Sequence, residues 1–289
     1  MAESVVAASG GTDAFVSASP CPARCPVLGI PIDFISDKAV MNTIEHWRQN
    51  GETGYVCVVN PWSIATSFYD ERMRKALLES RISVPDGVGI TLAAKILKYR
   101  HNGRLPGPDL MFRICDLARE HGYRHFFYGG REGIAAGLAE RLCSALPGLQ
   151  VAGVYCPPFR DLTDDEMNAI IGRINDAEPD ILWVGLGAPK QEKWMTEHWR
   201  RTKVTALIGV GAAFDFHSGN VKRAPAWVRR LACEWLWRLT QEPRRLWPKN
   251  VLNPLFVAAV LAQRVAMGYG AREVIARHST RRPPGRLAG

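Results

Sequence analysis

The sequence predicts an α/β domain built on a mostly parallel sheet, and two observations carry that expectation. Strand-like segments alternate with helical ones from Val27 onward, and several of the strand-like segments are unbroken apolar runs. A strand buried on both faces needs apolar residues at every position, and strand–helix alternation is how a parallel sheet is covered on both sides. The 289 residues, 47% apolar and 22% charged, suffice for a sizeable core and exclude a disordered, collagen-like or coiled-coil chain.

Taken in order, residues 1–27 are expected to form a disordered leader. They are rich in Ser, Ala, Gly and Pro, and they lack the basic start and apolar stretch of a signal peptide. The main domain is expected over 28–222. Apolar runs bounded by turn residues predict strands at Gly54–Asn60, Arg81–Asp86, His125–Gly130, Gln150–Tyr155, Asp180–Gly187 and Thr205–Phe216. Apolar residues three and four apart predict helices over Asp37–Arg48, Asp70–Glu79, Gly89–Tyr99, Asp109–Glu120, Arg131–Ala145, Thr163–Asn175 and Gln191–Arg200.

The pattern changes after Asn220. Of 37 Lys+Arg and 28 Asp+Glu in the chain, 14 and 3 fall in Val221–Gly289, so a slightly acidic body carries a strongly basic end. Such an end suggests a docking appendage rather than a nucleic-acid-binding body. A helix is expected over Ala226–Leu239, with Trp227, Leu231, Trp235 and Leu239 on one stripe. Residues 223–250 then form a basic, Trp- and Arg-rich helical appendage. Residues 251–289 are expected as an apolar interfacial helix ending in a basic disordered tail. The run Leu255–Ala262 is too short to cross a bilayer.

Several motifs sit at predicted strand ends, where open α/β sheets bind ligands. Asp86, in Pro85-Asp86-Gly87, is either a ligand-facing carboxylate or a turn and helix-cap residue. Gly129, Gly130 and Gly133 join a strand to a helix, and serve either a nucleotide phosphate or tight helix–strand packing. Lys190, Gln191 and Glu192 begin a helix after a Gly-rich turn. They could meet a phosphate or base, or form a solvated first turn. Asp215 follows a buried strand and needs a partner if its charge is buried. His217 is the one histidine near these motifs, and a lone histidine is more often structural. The acidic group Asp161, Asp164, Asp165 and Glu166 is expected at a helix N-terminus.

Absences narrow the chemistry. The sequence has no Asp-x-Asp pair, no Walker loop, no Gly-x-Ser-x-Gly and no His-Glu-x-x-His. Its seven cysteines include no Cys-x-x-Cys pair, which removes a zinc ribbon and points to a reducing compartment. No metal site and no cofactor are expected.

Asn60, PDGVG (Pro85–Gly89), RLPGPDL (Arg104–Leu110), FYGGREG, PDILWVGLGAPKQEKW, GVGAAFDFHSG, KRAPAW and EWLWRLTQEPRR occur in this order. Together they resemble the WecG/TagA/CpsF family of bacterial glycosyltransferases, glycosyltransferase family 26, over about Leu28–Arg245. The resemblance implies a single Rossmann-like domain with a C-terminal appendage that closes the site and docks on membrane. It implies inverting, metal-independent transfer from a UDP-sugar to a polyprenyl-diphosphate-linked saccharide, at the inner face of the cell membrane. The enzyme would be cytoplasmic and peripheral, bound to an anionic membrane surface and not to nucleic acid; a homo-oligomer is compatible with this.

Carried onto matching positions, the resemblance makes Asp86 the general base. Asn60, Gln191 and Arg104 become substrate-pocket residues, with Lys190 and the Gly129–Gly130 turn beside them. Asp215 falls near the base or ribose. Arg223, Arg238, Arg244 and Arg245 are appendage arginines directed at diphosphates or membrane. One position departs: many relatives have Thr-x-Asn where this chain has Val58-Val59-Asn60. A hydrogen bond from that hydroxyl cannot form here, so the sugar preference stays open. The same residues leave two other classes of function: a sugar-nucleotide-modifying enzyme of Rossmann type, disfavoured by the missing dinucleotide fingerprint and Tyr-x-x-x-Lys pair, and a non-catalytic nucleic-acid- or membrane-binding protein.

Overall fold

The computed structural model describes residues 24–225, 227–228, 234–244, 247 and 251–279, with backbone alone over 269–279. A short antiparallel hairpin, β1 (Cys25–Val27) and β2 (Ile30–Ile32), comes first. Helix α1 (Asp37–Gln49) follows, then β3 (Gly54–Val59), α2 (Pro61–Thr66), α3 (Glu71–Glu79), β4 (Ile82–Pro85), α4 (Val88–Leu97) and α5 (Gly107–Arg119). The second half runs β5 (Arg124–Gly129), α6 (Ile134–Ala145), β6 (Gln150–Tyr155), α7 (Asp164–Asp176), β7 (Ile181–Gly185), α8 (Lys190–His198), β8 (Ala206–Gly209) and α9 (Ala213–His217). Two further helices are α10 (Glu234–Gln241) and α11 (Asn253–Ser279).

Strands β3 to β8 form one six-stranded sheet in the order β4-β3-β8-β7-β5-β6, every pairing parallel. All six residues of β3 are buried, which is why its sequence shows no alternation. Its side chains still divide with period two. Val56 and Val58 share a core with Trp47 of α1, Ile114 of α5, Leu138 of α6 and Phe214 of α9. Tyr55, Cys57 and Val59 share another with Ile64 of α2, Leu77 of α3, Ala94 of α4, Ile174 of α7 and Met195 of α8. Each fully buried large side chain stabilises the fold by about 1.5–3 kcal/mol before entropy is subtracted.

This division opens a crevice. Leaving β3, the chain crosses to α2 on one face; leaving the neighbouring β8, it crosses to α9 on the other. Strands β7 and β5, also neighbours, send α8 and α6 to opposite faces in the same way. Adjacent connections that part like this leave a ligand-sized gap beyond the carboxyl ends of the strands.

Four expectations change. The leader is structured by Arg24: Cys25, Val27, Ile30 and Ile32 are buried, and Asp33 is held by the Arg24 guanidinium at 2.8 and 2.6 Å. Residues 1–23 lie outside the described residues. The strand expected to reach Phe216 stops at Gly209, because the chain turns at Gly211 (φ +50°) and then winds into α9. Helix α2 has no periodic signature; the Asn60 cap and Pro61 at its start make it. Finally, the helix expected in the apolar part of 251–289 is α11, and one side of it is docked on the domain. It packs on α4 and α2, burying Phe256 and Val260, and Gln263 bonds the backbone of Pro26 and Leu28 at 2.6 and 2.9 Å.

Within the helix expected over Ala226–Leu239, the described residues are Trp227–Val228, which are helical, and the separate segment Glu234–Gln241 (α10), which ends two residues later than expected; 229–233 lie outside the described residues, as does 280–289.

Candidate active site

Asp86 follows β4 directly, half-buried at the carboxyl edge of the sheet. Its backbone N–H donates to the Val59 carbonyl at 2.7 Å, so it stands beside Asn60 across the β3–β4 ladder. The cap of α4 is Gly87 (φ +80°), with no side-chain hydrogen bond, so Asp86 does not cap that helix. Burial pushes the Asp86 carboxyl up to about 6; Arg238 and Arg104 pull it down, while Glu234 and Asp109 push it up. Four charged side chains from three segments therefore act on this carboxylate. A carboxyl poised near 6 is largely ionised at neutral pH and can still take up a proton.

Asn60 caps α2: its Oδ1 accepts from the Ser63 N–H at 2.9 Å and the Ser63 hydroxyl at 3.2 Å. With that oxygen engaged, the amide Nδ2 is the group Asn60 has for a ligand. Val58, one turn of the strand earlier, is buried in apolar surroundings. Arg104 is half-buried, and the Leu105 N–H donates to the Pro85 carbonyl at 2.8 Å, holding its segment against the end of β4.

The glycines after β5 answer a packing demand. A Cβ on Gly129 (φ +136°) would lie 2.6–2.7 Å from the Gly185 backbone, and Gly130 donates its N–H to the Gly185 carbonyl at 3.1 Å. Gly133 then starts α6 without a side-chain cap, and the Ile134 N–H donates to the Arg131 carbonyl at 2.9 Å.

The start of α8 is not a solvated turn. Lys190 is exposed, yet Gln191 and Glu192 are 3% and 1% exposed. Gln191 Nε2 donates to Glu192 Oε1 at 2.9 Å, and Gln191 Oε1 is buried without a hydrogen-bond partner among the described residues. That oxygen lies 3.4 Å from where a Cβ on Gly211 would stand, at the end of β8. A buried, unpaired acceptor costs about 1–3 kcal/mol, so a donor reaching it would gain.

Asp215 lies in α9, where its carboxylate accepts from the Asn220 side chain at 3.3 Å. His217 bonds the Pro108 carbonyl at 2.8 Å and stacks on Phe112; burial lowers its proton affinity, so its role is structural. The acidic group near Thr163 starts α7 through a capping box with Glu166.

The appendage arginines separate. Arg223 forks onto Asp109 at 2.6 and 2.9 Å and reaches Glu234 at 3.1 Å. Arg238 acts on Asp86, stands over the Phe216 ring at 5.3 Å, and keeps a buried Nε–H without a hydrogen-bond partner among the described residues. Arg244 is exposed, and Arg245 lies outside the described residues. The fold thus gathers Asp86, Arg104 and Arg238 at one strand end beside Asn60, and sets Gln191 at the neighbouring ends of β7 and β8. Sequence reasoning overlooked Asp109 and Glu234, because an acidic residue in a first helical turn reads as an ordinary dipole partner.

The family model of the Glycosyl transferase WecG/TagA/CpsF family matches residues 25–268. An N-acetylglucosaminyldiphosphoundecaprenol N-acetyl-beta-D-mannosaminyltransferase of Bacillus subtilis (strain 168) is 30% identical over 219 residues, covering 76% of this chain and 83% of the relative. Proteins of the same name from Bacillus spizizenii (28%, covering 80% of this chain and 88% of the relative) and Staphylococcus aureus strain MW2 (26%, covering 78% and 87%) are also similar. With that match extending over hairpin, sheet, crevice and the first part of α11, the chain belongs to the WecG/TagA/CpsF family of glycosyltransferases.

Proposed function

We propose that this glycosyltransferase moves a hexose or N-acetylhexosamine from a UDP-sugar to a polyprenyl-diphosphate-linked saccharide, in one inverting displacement with Asp86 as general base. The carrying observation is Asp86 itself: a carboxylate at the crevice edge, poised near 6, with Arg104 and Arg238 acting on it. The acceptor hydroxyl oxygen forms its bond to the anomeric carbon as the carbon–oxygen bond to the donor diphosphate breaks, and the hydroxyl proton passes to Asp86. A positioned base contributes about 10²–10⁴-fold to such a step.

The departing diphosphate gains charge. This chain meets it with cations and N–H groups rather than a metal ion: Arg238, whose Nε–H has no hydrogen-bond partner among the described residues, Lys190 at the start of α8, and the first turn of α6. Arginine suits the task because its planar fork meets phosphate oxygens in pairs. Gln191 offers an acceptor to a ligand donor and Asn60 a donor to a ligand acceptor. The acceptor class follows the relatives, whose names specify a lipid-diphosphate-linked N-acetylglucosamine. The sugar is left as a class, because Val58 removes a hydroxyl from the pocket strand.

A lipid-linked acceptor calls for a surface that meets the bilayer. Among the described residues no helix is long and apolar enough to cross a membrane. Helix α11 exposes Leu255, Leu261, Val265 and Met267, and the adjoining α4 exposes Leu92 beside Lys95, with Lys98 and Arg100 just beyond its end. Apolar side chains rimmed by cations fit an anionic leaflet on the inner face of the cell membrane, and α4 begins next to Asp86.

The test is a nucleotide-sugar panel scored for nucleoside diphosphate release with a synthetic polyprenyl-diphosphate sugar. One donor is expected to turn over only with that acceptor, and Asp86→Asn is expected to abolish turnover while still binding the donor. Turnover that needs a nicotinamide cofactor and no acceptor would replace this reading with sugar-nucleotide modification.

A further inference from the structure

Arg223 was expected at diphosphates or membrane, yet all three of its guanidinium nitrogens lie on protein carboxylates. It is half-buried between the first turns of two helices, with Nη1 and Nη2 on the Asp109 carboxylate of α5 at 2.6 and 2.9 Å, and Nε on Glu234 of α10 at 3.1 Å. Among the described contacts, these are what tie the start of α10 to the body of the domain through charge. Burial works against the Arg223 charge, and Asp109 and Glu234 more than offset it. Three of the five guanidinium N–H donors are thereby engaged, and the two carboxylates balance the charge that a third oxyanion would otherwise meet.

The consequence for the site lies one helical turn away. Glu234 and Arg238 are four residues apart on α10, so they share a face. With Glu234 held by Arg223, that face is fixed against the domain, where the Arg238 guanidinium covers Phe216 and its charge acts on Asp86. The charged groups acting on Asp86 are Arg104 from the segment before α5, Asp109 from α5, and Glu234 and Arg238 from α10. Two of the four are Arg223's own partners.

We infer that Arg223 is a positioning residue for the transfer reaction: a two-carboxylate clamp that holds α10 over the crevice and thereby delivers Arg238 to Asp86. The inference rests on the proposed function for its kinetic readout and needs no part of it for its structural one.

Two measurements on the full chain test it. The first is hydrogen exchange over 234–241: Arg223→Gln and Glu234→Gln are each expected to raise exchange there at least tenfold, with the sheet still protected. Unchanged exchange in Arg223→Gln would overturn the clamp whatever the enzyme's activity. The second is the acid limb of kcat/KM. Arg238→Gln alone is expected to move that limb to higher pH, because a cation has been removed from beside Asp86. In an Arg223→Gln background it is expected to move the limb no further, and Arg223→Lys, which keeps the charge but cannot span both carboxylates, should recover only part of the activity. An equal Arg238→Gln displacement in both backgrounds would sink the inference, since a residue serving only fold stability would leave that displacement intact. If Asp86→Asn proves active, the base assignment falls and exchange alone decides the clamp.

Discussion

The backbone N–H of Asp86 donates to the carbonyl of Val59 at 2.7 Å, one rung beyond the last residue of β4. That rung fixes the carboxylate at the sheet edge and leaves the cap position of α4 to Gly87. A rigid backbone under a carboxylate lets its surroundings set its proton affinity, which gives the first prediction a sign.

Asp86 in the folded chain keeps its proton up to about pH 6, against an ordinary value of 3.8. Between those values the folded state binds the extra proton, so the stability that this group contributes is fully present below 4, falls as pH rises toward 6, and is absent above. Asp86→Asn removes that loss. The variant is expected to be more stable than the parent at pH 8 by about 2 kcal/mol, with no advantage at pH 4, as measured by urea unfolding at both pH values. If Asp86 is the base, kcat/KM of the parent rises with pH through about 6.

Gly129→Ala places a Cβ within 2.6–2.7 Å of the Gly185 backbone at φ +136°. Neither backbone can yield without disturbing the β5–β7 pairing. A loss of about 3 kcal/mol or more is expected, read as a lowered urea midpoint. A near-neutral change would mean the turn needs glycine for ligand approach instead.

Asp33 is 4% exposed and accepts from Arg24 and from the Ser83 N–H at 2.7 Å. Asp33→Ala leaves that N–H unpaired and strands the guanidinium. A cost of about 2–3 kcal/mol is expected, screened somewhat because Arg24 is partly exposed. Arg24→Ala should cost a similar amount, and the double variant less than the sum, which thermal melts of all three would check.

Liposome co-sedimentation tests the α4–α11 surface. Binding to anionic vesicles is expected to weaken with salt, and Lys95→Gln, Lys98→Gln and Arg100→Gln to remove about 1 kcal/mol each. Leu255→Glu and Val265→Glu, both at exposed positions, should abolish sedimentation without lowering the melting temperature. Unaltered sedimentation would move the contact elsewhere.

What the sequence determined by itself is the α/β class, six central strands and seven of the helices covering them, with most ends displaced by a few residues and the last strand stopping at Gly209 instead of Phe216. Those features are local: an unbroken apolar run such as GYVCVV or a helical apolar period declares itself within a short window. Asp86 was marked because it stands where such a run ends, Gln191 because it opens a helix after a Gly-rich turn, and Asn60 through the family resemblance. The tertiary structure decided what no window contains. The hairpin of Cys25–Ile32 is held by distant partners: Asp33, itself gripped by Arg24, bonds Ser83, and Cys25, Val27, Ile30 and Ile32 are buried in the core. Helix α11 is docked because Phe256, Val260 and Gln263 find partners more than 150 residues earlier in the chain. The glycines of Gly129-Gly130 answer to Gly185, and Arg223 answers to Asp109 and Glu234, across gaps that spacing cannot see. A charge's role depends on which opposite charge the fold brings within a few ångströms, because Coulomb attraction between partly buried groups is decided at that range. For the arginines of the basic C-terminal segment that is the deciding fact: Arg223 holds carboxylates while Arg238 stands over Phe216 and acts on Asp86.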